Sequence, residues 1–234
     1  MASRRAADAL IASGSVQVNG RRSPASGVII DPDHDVVTID GRRVAPPSRH
    51  RYVMLNKPLG VITTARDESS RTTVLDVIGE EGRHDHRLFP VGRLDADSTG
   101  LLILTDDGDL SFRLTHPRYK VAKEYLVTVA GVPTGRDVEA LRRGVQLDDG
   151  VTAPAEVEML SSHGGEAVLR VAIREGRHRQ VRRMMQAVGH KTKALRRTAF
   201  GPLKLGRLKV GGWRLLSEGE LSALRRATGL EESR

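Results

Sequence analysis

The sequence predicts an α+β fold with a mixed, largely antiparallel sheet flanked by helices, preceded by a small basic unit. Three observations carry that expectation. Apolar runs of strand length recur after residue 50, and amphipathic helical periods are scattered among them. The two do not alternate in the strict order that builds a parallel sheet from βαβ units. Pro46-Pro47-Ser48 separates this region from a shorter one before it, because consecutive prolines fit neither helix nor strand. The expected division is therefore residues 1–47 and residues 48–230.

In the first unit, Ala6, Leu10 and Ile11 give a helical period, with Ser3 placed to cap it. Ser15 to Asn19-Gly20 alternates like a strand and closes in an Asn-Gly turn. A further short strand at Val36 to Ile39 ends at Asp40-Gly41. In the second unit, Tyr52 to Leu55, Leu101 to Thr105, Glu124 to Val129 and Ala167 to Ile173 read as strands. Helices are expected at Leu110 to Leu114, Asp137 to Arg143, His178 to Val188 and Glu218 to Ala227. The last residues, Glu231 to Arg234, read as a frayed tail.

Composition narrows the chemistry. The 234 residues carry 38 lysines and arginines against 29 acids, a net charge of +9 that favours a polyanionic partner through counterion release. Cysteine is absent, which removes disulfides, thiolate metal sites, iron–sulfur clusters and cysteine nucleophiles. Aromatic residues make up only 3%, too few for the platforms of a carbohydrate cleft. No apolar stretch has the length of a signal peptide or a membrane span, so a cytosolic protein with no membrane partner is expected; a monomer is expected as well.

Three segments concentrate reactive or basic residues. The first holds Arg4, Arg5, Arg21 and Arg22 around one helix and one turn, a basic module suited to RNA shape and phosphate. The second is Val91-Gly-Arg93-Leu-Asp95-Ala-Asp97-Ser-Thr-Gly-Leu-Leu, where Asp95 falls in a loop just before a strongly apolar strand. A carboxylate held there can be a nucleophile, a general base or a metal ligand. Asp106, Asp107 and Asp109, after the strand, read as turn and helix-cap residues. His84-Asp85-His86 lacks further ligands nearby and reads as a loop, so no metal is expected.

The third segment runs from Arg174 to Gly189. Val181, Met184, Met185 and Val188 form an i, i+3, i+4, i+7 stripe that should face the core. Arg182 lies at its border, where a guanidinium can reach inward and pair with a partly buried carboxylate. Arg177, Arg179 and Arg183, with Lys191, Lys193, Arg196 and Arg197, make a basic stripe for an RNA backbone.

Residues 3–20 resemble the S4 RNA-binding domain, without the further helix that begins most members. The ordered series Asn56-Lys-Pro-Leu-Gly, Phe89-Pro-Val-Gly-Arg-Leu-Asp95, Thr99-Gly-Leu-Leu, Lys123-Glu-Tyr125 and Glu175-Gly-Arg-His-Arg-Gln-Val-Arg-Arg-Met184 resembles the RsuA/RluB-type ribosomal RNA pseudouridine synthases. That resemblance implies the pseudouridine synthase fold behind a small S4-like domain. It implies isomerisation of uridine to pseudouridine in ribosomal RNA, with the 23S RNA of the large subunit as the expected substrate. It implies Asp95 as the catalytic aspartate, Tyr125 as the active-site tyrosine, Arg182 as the basic partner of the aspartate, and Arg93 as a residue that holds the target nucleotide out of its helix. The reaction breaks N1–C1′, turns the base and rejoins it through C5, with no oxidation and no hydrolysis, so no cofactor is expected. Whether Asp95 attacks C1′ or the base, or assists glycal formation, is left open by the sequence.

Overall fold

The structure is a computed structural model that describes residues 4–31, 34–44, 49–65, 67, 69–84 and 86–230. The chain parts into two units, Met1–His50 and Arg51–Arg234, just beyond the expected boundary. Ser3, the Pro46-Pro47-Ser48 linker, Asp85 and the Glu231–Arg234 tail lie outside the described residues.

The first unit is one helix, α1 (Arg4–Ser13), followed by β1 (Val16–Val18), β2 (Arg21–Arg22), β3 (Val37–Ile39) and β4 (Arg42–Val44). They form an antiparallel sheet in the order β2-β1-β3-β4. The two tight turns are Asn19-Gly20 and Asp40-Gly41, with φ of 51° and 76° in the first and 48° and 76° in the second. Asn and Asp tolerate that left-handed region and Gly occupies it freely, which is why those pairs close hairpins. Arg21 is exposed on β2, whereas the side chains of Arg4 and Arg5 lie outside the description.

The second unit runs β5 (Tyr52–Lys57), α2 (Val74–Arg83), β6 (Phe89–Pro90), β7 (Thr99–Thr105), α3 (Gly108–Thr115), β8 (Lys123–Ala130) and α4 (Gly135–Arg143). It continues with the hairpin β9 (Gln146–Leu147) and β10 (Gly150–Val151), then β11 (Glu156–His163), β12 (Glu166–Ile173), α5 (Gln180–Ala187), β13 (Thr192–Phe200), β14 (Leu203–Lys204), β15 (Trp213–Leu215) and α6 (Glu218–Ala227). The main sheet has the order β11-β12-β8-β13-β7-β5-β15. Every described pairing in it is antiparallel except β7 with β13, so the expected α+β architecture with a mixed, largely antiparallel sheet is what forms.

Helices cover both faces, and this explains the unbroken apolar runs in β5 and β7. Val53, Leu55, Leu102 and Leu104 join the core beneath α2, α4 and α5, while Tyr52, Met54, Leu101 and Ile103 join the core beneath α3 and α6. The stripe foreseen on α5 is buried through Val181, Met184 and Met185, with Val188 packed against the same core. Asp107 caps α3 by accepting from the Leu110 N–H, and Thr73, Thr134 and Ser217 close capping boxes on α2, α4 and α6.

Of the features not foreseen, four stand out. Helix α2 carries two glycines in its sequence, one of them, Gly79, at φ 59°. Strand β11 is an edge strand with mostly exposed residues, so it lacks alternation. The short strand β15 pairs with β5 at the other edge. Strand β13, in the middle of the sheet, contains the run expected to be a basic stripe. Arg197 is a correction in particular: it is 1% exposed, its Nε donating to the Leu101 carbonyl at 2.7 Å, because it faces inward from a central strand.

The parallel β7–β13 contact depends on one glycine. Gly100 sits at φ 106°, and a Cβ there would meet the Arg197 carbonyl oxygen at 2.2 Å and its nitrogen at 2.7 Å. Backbone cannot yield as a side-chain tip can. Gly100→Ala is therefore expected to cost roughly 2–5 kcal/mol from strained φ and overpacking together, read as a lowered midpoint in urea unfolding; an unchanged midpoint would refute this account of the contact.

Candidate active site

The loop between β6 and β7 carries Asp95, and side chains from three other segments hold its backbone. Thr63 Oγ1 donates to the Leu94 carbonyl at 2.6 Å and accepts from the Leu94 N–H at 3.3 Å. The Ala96 carbonyl accepts from the Gly60 N–H at 2.8 Å. Lys57, buried at the end of β5, donates from Nζ to the Ser98 carbonyl at 2.9 Å and to the Pro58 carbonyl at 3.0 Å. Arg182 on α5 donates to the Asp97 carbonyl at 2.7 Å. Inside the loop, the Asp95 carbonyl accepts from the Ser98 N–H at 3.0 Å. With so many backbone groups tied, the Asp95 carboxylate is aimed by the scaffold rather than by its own contacts.

Asp95 lies on the wall of a cleft of about 600 Å³, lined also by Arg93, Lys123, Tyr125, Arg179 and Arg197. Its side chain is 25% exposed. Tyr125, on β8, is buried at 7% exposure in the same cleft, and Arg93 is exposed. Asp95, Tyr125 and Arg93 thus line one cleft.

Arg182 is a correction. Its guanidinium pairs with Asp97, Nη2 lying 3.3 Å from the carboxylate, and no direct contact with Asp95 forms among the described residues. The cation in reach of Asp95 is Arg179, whose Nη1 lies 3.5 Å from Asp95 Oδ2. Arg179 also grips Asp97 with both terminal nitrogens, at 2.7 and 3.2 Å. The reason is local. Arg179 precedes α5 at φ 49°, which throws its side chain out over the Asp95 loop, while Arg182 is a turn further in and buries beneath it. Arginine hydrogen bonds hold the Asp97 carboxyl below the usual carboxylate range, and burial pushes Arg182 down from its ordinary value.

Arg177 and Arg183 are committed to the protein itself, contrary to the free basic stripe expected of them. Arg177 donates to the carbonyls of Asp149, Gly150 and Val151 at 2.7 to 3.2 Å and pairs with the Asp149 carboxylate. Arg183 donates to Asp149 Oδ2 at 2.9 Å and to the His178 carbonyl at 2.9 Å. Together they hold the Asp149 carboxyl at about 2. Their role here is to clamp the β9–β10 turn to the start of α5. Lys193 of the same expected stripe pairs with Glu166.

Two residues were quoted in the sequence motifs without a role, Lys57, buried behind the Asp95 loop, and Lys123, on the cleft wall. A lysine closing a wholly buried strand, as Lys57 does, was the available signal. Burial pushes the Lys57 ammonium down to about 8 despite the opposing pull of Asp95 and Asp97, and Lys123 to about 8 with Arg197 pushing the same way. Among the described residues no helix is long and apolar enough to cross a membrane, and no cluster of three or more His, Asp or Glu could hold a metal ion. His86 pairs with Asp106 at 2.7 Å.

The model of the RNA pseudouridylate synthase family matches residues 51–187, more than half of the chain. The chain belongs to that family. An RNA pseudouridine synthase of Aquifex aeolicus is 42% identical over 232 residues, covering 99% of this chain and 92% of that protein. Ribosomal large subunit pseudouridine synthase B of Bacillus subtilis is 38% identical, covering 96% and 91%. A crystal structure of a pseudouridylate synthase superposes with a TM-score of 0.69 at 32% identity, covering 95% of this chain and 94% of its own. The pseudouridine synthase fold and the isomerase class of the enzyme follow from these matches.

Lys57 supplies a pH test. Its folded value near 8 lies below the ordinary 10.5, so between those values the unfolded chain binds more protons and stability contributed by this site rises with pH. The melting temperature of the wild type should therefore gain on that of Lys57→Met as pH is raised from about 8 to 10. A constant difference across that window would contradict the burial of a charged amine.

Proposed function

We propose that this protein isomerises a specific uridine of ribosomal RNA to pseudouridine, in the 23S RNA of the large subunit, with Asp95 as the catalytic carboxylate and no cofactor. The observation that carries the reading is the Asp95 carboxylate, aimed by a backbone tied at Leu94, Ala96, Asp97 and Ser98 into a cleft with Tyr125 beside it. The family membership gives the reaction class. The name of the Bacillus subtilis relative supports the large subunit as substrate, and with it a cytoplasmic site of action.

In this reading the target nucleotide leaves its stack, a cost of roughly a few kcal/mol that favours unpaired or distorted uridines. The uracil enters the cleft against the Tyr125 ring. Arg93, exposed at the mouth, meets the RNA backbone. Asp95 faces the sugar, acting on C1′ or its neighbouring proton as N1–C1′ opens. Arg179 orients the carboxylate, and Arg182 serves by holding the Asp97 backbone. The first unit adds affinity as an S4-like RNA-binding module through Arg4, Arg5 and Arg21. Arg179 and the clamped Arg177 and Arg183 raise the potential around the mouth and contribute to the phosphate field at longer range.

The test has two parts. Carbodiimide-dependent primer extension on ribosomal RNA from cells with and without the gene should reveal one lost pseudouridine in 23S RNA, restored by the wild-type gene. Purified Asp95→Asn should lose tritium release from C5-labelled RNA by at least about 10³-fold, a loss of transition-state stabilisation of roughly 4 kcal/mol, while RNA affinity stays within about twofold. Release at the wild-type rate would remove Asp95 from the chemistry.

A further inference from the structure

The buried side of the cleft holds two cations that no acid among the described residues pairs with. Lys123 and Tyr125 stand two residues apart on one side of β8, and β13 sets Arg197 opposite Tyr125 and Phe200 opposite Lys123. Both cations lie over the Phe200 ring, Lys123 Nζ at 5.3 Å and the Arg197 guanidinium at 5.0 Å from its centroid. Arg197 is 1% exposed, and its Nη2 has no hydrogen-bond partner among the described residues. The acceptor nearest Lys123 Nζ is the Val121 carbonyl at 3.5 Å, the outer limit of a hydrogen bond. Lys57 feels the charges of Asp95 and Asp97, whereas the charge acting on Lys123 is a second cation.

Buried charge without a counterion is costly, and removing its donors from water without acceptors adds to the cost. Such an arrangement is relieved by an anion that arrives from outside. RNA brings two kinds of negative oxygen, on its phosphates and on its bases. A flipped nucleotide leaves its phosphates at the mouth and sends the base to the bottom. Arg197 and Tyr125, the deep-lying residues, are among the most buried lining the cleft, so the base is the part that meets them.

We propose that Lys123 and Arg197 form an anion subsite for the flipped uracil, meeting its carbonyl edge and stabilising the negative charge the ring carries while detached from the sugar. The proposal rests on the pseudouridine synthase reading of the cleft and specifies what holds the base. When N1–C1′ opens, the bonding pair stays with the ring, spread over N1, O2 and O4. The electron-poor C1′ is satisfied by the Asp95 carboxylate or by loss of the C2′ proton. After the ring turns, C5 gives its electron pair to C1′; the proton then lost from C5 is balanced by one gained at N1, and any bond or proton change at the sugar is reversed. Lys123 and Arg197 keep their protons throughout and act as fixed charges aimed at the place where charge develops.

The test compares wild type, Lys123→Met and Lys123→Arg as full-length proteins on a transcript of the ribosomal RNA segment that carries the target uridine. At saturating RNA, Lys123→Met should lose about 10²-fold or more in single-turnover rate, with RNA affinity within about twofold and a melting temperature no lower than wild type. Lys123→Arg, which keeps the charge, should recover most of the rate. Arg197→Lys should lower the same rate without weakening RNA binding. Loss of affinity with a salt dependence reduced by about one contact, and an unchanged rate at saturation, would assign Lys123 to a phosphate and overturn the proposal. A lowered melting temperature with a rate restored on cooling would make it structural and overturn it too. If wild-type protein forms no pseudouridine in any ribosomal RNA, the subsite falls together with the reading beneath it, and the wild-type control distinguishes that case from failure of the subsite alone.

Discussion

The capture of the Asp95 loop by buried donors is the constraint on which the site depends. A loop carbonyl that faces a protein interior must find a donor, and here Lys57, Thr63 and Arg182 supply donors to Ser98, Leu94 and Asp97. Each comes from a different part of the chain, so the loop can take this shape only after β5, the segment after it and α5 have packed. Two of the donors are cations held away from water, and a carbonyl dipole is a weak substitute for a counterion. The nearby carboxylates of Asp95 and Asp97 offset part of that cost, though burial still outweighs them. Conformation and electrostatics are therefore one problem at this site: the charges that fix the loop are the same ones that keep a carboxylate on it.

The positive charge of the chain is unevenly available. Arg177, Arg179, Arg182 and Arg183 all lie within one short segment, and all are bound to Asp95, Asp97, Asp149 or neighbouring carbonyls. A dense run of arginine looks like a nucleic-acid surface in sequence, yet this one works first as a set of struts, since the guanidinium fork can satisfy several backbone acceptors at once. The struts tie the start of α5 to the Asp95 loop on one side and to the β9–β10 turn on the other. Their formal charges still count toward a long-range field, but many of their hydrogen-bond donors are already engaged, Arg182 Nε being an exception.

What the sequence made legible follows from where periodicity survives. Strands β5, β7, β8 and β12 and the apolar face of α5 are buried in simple patterns, and each was foreseen. Helix α2 was not, although Thr73 and Asp76 form a capping box that marks its start, because Gly79 and Gly82 dilute its apolar stripe. Strand β13 was hidden by Lys193, Arg196 and Arg197, three cations in a run where Leu195 and Phe200 are the large apolar residues. Asp95 was legible as a carboxylate ahead of a rigid strand. Its nearest cation was not: Arg179 and Arg182 are three residues apart, and the choice between them turns on a left-handed backbone at Arg179 that no periodicity encodes.

Burial alone does not distinguish a structural cation from a waiting one; its partners do. Lys57 and Arg197 are both almost wholly hidden, but Lys57 donates to two carbonyls within reach of two carboxylates, and its charge is answered inside the protein. Arg197 leaves one nitrogen unanswered beside a second cation. A fold selected for stability alone would place a methionine or leucine there, since apolar substitutes for buried charge are often neutral or stabilising. That the uncompensated pair lies in the same cleft as Asp95 and Tyr125 is what makes the excess meaningful: charge left unsatisfied in the resting protein is available to be satisfied by something that exists only during the reaction.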